Sequence, residues 1–185
     1  ISYPLSGVGV PAWFAEGTAQ YQRQQLSYEQ WDSHRDMILR SYIEDGNLLT
    51  WGEMGQFSSI TSLKAESIYN LGYGLTRYIA QQYGEDKLRT ITLNLGDLTT
   101  FSMDKAIKDA IGIDGKDLYN QWVSFLKNDY EKKLVNVKKD SVVGSIIQKT
   151  GFANYHPQFS PDGKKITFLS NQDFDYGSTG MFIYD

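Results

Sequence analysis

Apolar residues recur at three- and four-residue spacing from Pro11 to about Leu134 and switch to two-residue alternation beyond Ser141. The pattern predicts helices first and strands afterwards. Pro11 suits the first helical position, where its missing N–H costs nothing, and the segment 12–25 carries no further Pro. A second helix is predicted over 28–43, ending at Asp45-Gly46, and 47–62, with Gly52, Gly55 and several Ser and Thr, reads as a loop. Ile68, Leu71, Leu75, Tyr78 and Ile79 mark a helix whose flanking faces are small or aromatic, so it should be buried on several sides until Gly84 stops it. Glu85 and Asp86 favour the start of the next helix, with Leu88, Ile91 and Leu95 inward. Ser102 is placed to cap a helix over 103–111 closed by Gly112, and Asp114 to cap a long one carrying Leu118, Trp122, Phe125 and Leu126. The charged tail 129–139 reads as a solvated helix end and linker.

Past that linker, 142–148 carries a β-branched apolar core and 165–170 alternates like a strand. Pro161-Asp162-Gly163 between Phe159 and Ile166 signals a hairpin, because Pro presets φ and Gly accepts a positive φ. A further run, 181–184, follows a turn at 177–180. Three or four strands in so short a stretch make one sheet with unpaired edges, which predicts self-association. The fold class is therefore mainly α with a small antiparallel β element, and the division falls at 1–139 and 140–185.

Composition narrows the function. The 185 residues suit one core and a small appendage, and 41% hydrophobic residues with 13 Tyr, 9 Phe and 4 Trp argue against disorder. A net charge of −4 is the wrong sign for nucleic acid. With no cysteine, thiolate nucleophiles, disulfides and Cys-ligated zinc are excluded. No run is long and apolar enough for a membrane span, and Ile1, without an initiator Met or signal pattern, suggests a chain cut from something longer.

Chemistry concentrates first in W-F-A-E-G-T-A-Q-Y over 13–21, where Glu16 lies mid-helix among Trp13, Phe14, Ala15 and Ala19. An unpaired buried carboxylate is costly, so a partner is expected; the plain alternative is an exposed or Arg-paired glutamate on an amphipathic helix. The run resembles the W-x-x-E-G-x-A-x-Y element of gluzincin zinc peptidases, the peptidase MA-like and aminopeptidase-like families. That resemblance implies Glu16 as the third zinc ligand. It also implies an oxyanion-stabilising role for Tyr69, in Tyr69-Asn-Leu-Gly72, where a phenol, protonated near neutral pH, donates to developing charge. The plain alternative for Tyr69 is an aromatic packed in a helical core. The likeness extends through Tyr83-Gly-Glu-Asp and Gln121-Trp-Val-Ser, to about Tyr130.

A working site of that class needs H-E-x-x-H, two His ligands and a general base on one helix. The chain has no such motif. Its only histidines, His34 and His156, are far apart and read as surface or turn residues. The expectation is that the chain by itself binds no zinc and cleaves no peptide, its parent being a zinc-dependent metallopeptidase acting on peptides or proteins.

The run P-Q-F-S-P-D-G-K-K-I-T-F-L-S over 157–170, with Phe182-Ile-Tyr184 after it, resembles one blade of a TolB-like β-propeller. That resemblance implies further blades and an exported, periplasmic or cell-surface protein. Asp173-Phe-Asp175 lacks the other ligands of a calcium loop, and Gly72 and Gly74 lack the context of a phosphate loop. Two other readings stand beside the peptidase: a non-catalytic interaction module joining a degenerate peptidase fold to a propeller, and a plain helical scaffold.

Overall fold

The computed structural model describes residues 9–24, 30–58, 60–97, 100, 102–151, 153–174 and 177–185. These residues are mainly helical, with six α-helices and, at the C-terminal end, three antiparallel strands. The chain divides into two units, Ile1–Lys139 and Asp140–Asp185.

In the first unit, α1 (Ala12–Gln24) begins one residue later than its proline suggests. The Pro11 carbonyl accepts from Phe14 N–H at 3.0 Å and Ala15 N–H at 3.1 Å, so Pro11 stands just outside the helix it opens. Helix α2 (Ser33–Glu44) also starts later than the apolar spacing predicts. Extended Asp32, with φ −102° and ψ 178°, ends the helical path upstream, and its carboxylate accepts from Arg35 N–H at 2.9 Å. Part of the forecast, 25–29, lies outside the described residues.

Helix α3 (Ser62–Tyr83) is the central element, buried almost continuously from Ser67 to Ile79. Its flanking Gly, Thr and Ala positions are what let neighbours cover it on several sides. A single 3₁₀ turn, Glu53–Gly55, interrupts the loop that leads to it. Helices α4 (Asp86–Leu95) and α5 (Met103–Ile111) follow the forecast: Ser102 Oγ accepts from Lys105 N–H at 3.2 Å, and Gly112 takes the left-handed conformation that ends α5. Asp114 Oδ1 accepts from Asp117 N–H at 2.9 Å at the head of α6 (Gly115–Lys139). Helix α6 runs through the charged tail to Lys139, whose neighbour Lys138 pairs with Glu44 at 2.6 Å. The inner stripe is Leu118, Trp122, Leu126 and Tyr130, spaced by four. Phe125 falls off that stripe and is 41% exposed, resting its ring 5.3 Å from that of Tyr78. Trp13, Trp122, Tyr73 and Tyr130 are the largest fully buried side chains of this core.

In the second unit, β1 (Asn154–Phe159), β2 (Ile166–Ser170) and β3 (Gly180–Tyr184) pair in the order β1-β2-β3. The Pro-Asp-Gly turn closes the first hairpin. Ser160 N–H donates to the Lys165 carbonyl at 2.8 Å, Ser160 Oγ bonds Asp162 Oδ1 at 2.6 Å, and Gly163 has φ +70°. Three strands form a sheet, and that sheet is not a propeller. The strand expected over 142–148 is absent: the segment forms no ladder, and Val142 and Val143 are 96% and 91% exposed. Its β-branched composition has no strand to pair with, and an unpaired segment gains nothing from β propensity. Asp175, half of the weak calcium signal, lies outside the described residues.

Candidate functional site

Helices α1 and α3 meet with their backbones in direct contact. A Cβ built on Gly17 would lie 2.3 Å from the Gly72 carbonyl oxygen, and one on Gly72 would lie 2.4 Å from the Trp13 carbonyl oxygen. Only glycine at both positions permits this approach. The crossing sets the positions of both residues singled out in the sequence. Glu16 precedes Gly17 on α1, and Tyr69, three residues before Gly72, shares that residue's face of α3.

Glu16 is half-buried, and among the described residues it has no hydrogen-bond or ion-pair partner. Tyr69 is half-buried too; its ring lies 5.6 Å from that of Phe57 at a 31° tilt, and its hydroxyl has no partner among the described residues. Among the described residues, the expected partner for the Glu16 carboxylate is therefore not found. One turn along α1 on the same face, Gln20 is buried and accepts from Arg35 Nη1 at 2.9 Å. Arg35 Nη1 also lies 3.4 Å from Asn70 Oδ1, Asn70 Nδ2 donates to the Arg35 carbonyl at 3.0 Å, and the guanidinium sits 5.1 Å from the Tyr73 ring centroid. This cluster ties α1, α2 and α3 together beside the crossing. Reading along the sequence missed it, although a Gln one turn after Glu16 and an Asn on an otherwise apolar helix face were available as signals.

The two histidines are not drawn in. His34 is exposed on α2, and His156 is exposed on β1 with φ +55°, its ring 5.2 Å from that of Tyr155. Among the described residues no group of three or more His, Asp or Glu side chains is arranged to hold a metal ion. Among the described residues, the α1–α3 crossing thus brings one carboxylate, Glu16, and one phenol, Tyr69. None of the described helices is long and apolar enough to cross a membrane.

A profile of the Peptidase MA superfamily matches residues 4–128. The chain belongs to the Peptidase MA superfamily. The matched region holds Glu16, the glycine crossing and Tyr69, and it stops before the sheet. Neither the curated proteins nor the solved structures yield a match. Within the Peptidase MA region, then, the Trp-x-x-Glu-Gly run and the Tyr-x-x-Gly run are the two segments that build the α1–α3 crossing. In each run the glycine lets the helices touch, and the contact fixes the place of its neighbour, Glu16 on α1 and Tyr69 on α3.

Proposed function

We propose that this Peptidase MA region is the Glu- and Tyr-bearing half of a gluzincin-type metallopeptidase site. In this reading Glu16 is a carboxylate ligand to zinc and Tyr69 is a neutral donor to the oxygen that gains charge during peptide hydrolysis. The observation that carries it is a half-buried Glu16 with no partner among the described residues, inside the family match. A carboxylate partly withdrawn from water and left without a partner is available to a cation. The two His ligands and the general base have no counterpart in the 185 residues and would come from outside them. By itself the chain is expected to hold no zinc and cleave no peptide.

The sheet fits a TolB-like blade in one respect beyond the Pro-Asp-Gly turn. Cross-strand neighbours place Leu169 and Met181 on one face and Phe168 and Phe182 on the other, so both faces carry apolar side chains, as a sheet stacked between others requires. A blade of this kind goes with an exported protein, periplasmic or at the cell surface, whose substrates are peptides or proteins. The second reading, a degenerate fold kept for protein interaction, is favoured by the missing H-E-x-x-H.

The experiment is to read about 60 codons upstream of Ile1, then to produce the extended protein with Glu16 and with Glu16→Gln. An in-frame H-E-x-x-H, with stoichiometric zinc in the extended protein that falls sharply in the variant, supports the peptidase site. An open frame without the motif turns the assignment to the interaction module. Stoichiometric zinc retained by the 185-residue chain after dialysis would overturn the reading of Glu16 as an incomplete site.

A further inference from the structure

Gly72 and Gly74 are two residues apart on α3, about 200° around a helix, so they face opposite ways. The Gly72 side meets α1. The Gly74 side meets Trp122, Leu39 and Trp31, where α2, α3 and α6 enclose a pocket of about 510 Å³. Buried Trp122 and Tyr130 form its floor, and the paired rings of Tyr78 and Phe125 form one wall. The other wall is Trp31, with the Arg77 guanidinium carbon 4.7 Å from its ring centroid.

The charges of this pocket are not evenly satisfied. Asp36 accepts from Trp31 Nε1 at 3.3 Å and from the Tyr130 hydroxyl at 3.0 Å. Asp32 is committed to the head of α2, and Asp129 pairs with Lys133 at 2.7 Å. Arg77 differs from all of these. It is half-buried and, among the described residues, makes no hydrogen bond or ion pair; the Trp31 ring covers one face of its guanidinium. Burial lowers its proton affinity, an effect opposed by Tyr73, Asp36 and neighbouring phenols, yet a guanidinium stays charged at any physiological pH. The guanidinium lies over the indole ring and, having no hydrogen-bond partner among the described residues, can offer its N–H fork to a carboxylate in two parallel bonds.

We propose that this pocket binds a carboxylate attached to an aromatic or branched apolar group, with Arg77 holding the carboxylate and the Tyr78–Phe125 wall covering the apolar part. The ligand is a small acid of this kind or the last residue of a peptide, which present the same chemistry. The site shares neither Glu16 nor Tyr69 and stands whether or not a peptidase site is completed.

The test is isothermal titration of the whole chain with N-acetylphenylalanine and with its amide, which differ in the carboxylate alone. The acid is expected to bind at least about tenfold more tightly than the amide, the effect of one charge-assisted contact. Arg77→Gln, checked for an unchanged melting temperature, should abolish that difference, and the Trp31 indole N–H resonance should shift with the acid in the original chain only. If Arg77→Gln fails to fold, Phe125→Ala, at an exposed ring, replaces it and should weaken the acid and the amide alike. A longer peptide ending in Phe that binds more tightly than the acid identifies a peptide terminus; equal affinity identifies a small acid. Equal binding of acid and amide, an undiminished preference in folded Arg77→Gln, or no binding of the acid at about 10 mM, near the weak limit for one anchored group, would overturn the proposal.

Discussion

The contact between α1 and α3 makes a prediction whose sign is opposite to that of helix propensity. Gly72 lies inside a helix, where replacement by alanine ordinarily adds about 1 kcal/mol of stability. Its Cβ, however, would stand 2.4 Å from the Trp13 carbonyl oxygen and 3.1 Å from two further Trp13 backbone atoms. Real contacts of this kind are nearer 3.4 Å, so the helices must part by about 1 Å along a fully packed seam. Trp13, Ile68 and Leu71 have no exposed surface, and parting the helices loosens them. Overpacking of a rigid core costs about 1–3 kcal/mol and more where backbone opposes it, so Gly72→Ala should lose about 2–4 kcal/mol net. Urea unfolding followed by tryptophan fluorescence reads this directly, since Trp13 and Trp122 are both buried. Gly52→Ala is the control: nothing lies within 4 Å of its added Cβ, and its φ of −68° suits alanine. A Gly72→Ala protein as stable as the original would refute the backbone contact and, with it, the geometry that sets Glu16 and Tyr69 beside one crossing.

Thr76, on the same seam, has a fully buried hydroxyl with no hydrogen-bond partner among the described residues, so the near-isosteric Thr76→Val should raise stability by about 1 kcal/mol in the same urea assay. A loss of stability would mean that the hydroxyl is satisfied. Glu53 accepts from Lys64 Nζ at 2.5 Å and from the Thr50 N–H and hydroxyl, each at 2.9 Å, which hold its carboxyl at about 2 instead of 4.5. A depressed carboxyl stabilises the fold above the unfolded value, so this contribution is complete above pH 4.5 and is lost as pH falls toward 2. The group lies near the surface, where screening holds the effect below about 1 kcal/mol. Glu53→Gln should flatten the acid limb of stability by that amount while leaving no added pH dependence above pH 5 or so; an unchanged acid limb would contradict the assignment.

What the sequence made legible follows from how local each cause is. Caps and stops act within four residues, so Ser102, Gly112 and Asp114 declared their helices, and Pro161-Asp-Gly163 declared its hairpin. Strand formation is not local: 142–148 has strand composition and remains unpaired, because a ladder needs a partner that composition cannot supply. The burial of one face of a long helix is not local either. Spacing of three or four admits two adjoining stripes on a long helix, and only the packing of α2 and α3 against Leu118, Trp122, Leu126 and Tyr130 selects one. The candidate site divides the same way. Glu16 and Tyr69 could be named from short runs, whereas the cluster of Gln20, Arg35 and Asn70 comes from three separate helices and appears only once they pack. Arg77 shows the limit most sharply. In sequence it is one cation on a helix with aromatic neighbours; in the structure Trp31, from a different helix approach, covers its face and no carboxylate meets it among the described residues. A partnerless group is defined by what every other element fails to bring. That is why Arg77 on α3, like Glu16 on α1, becomes a site only after the fold is known.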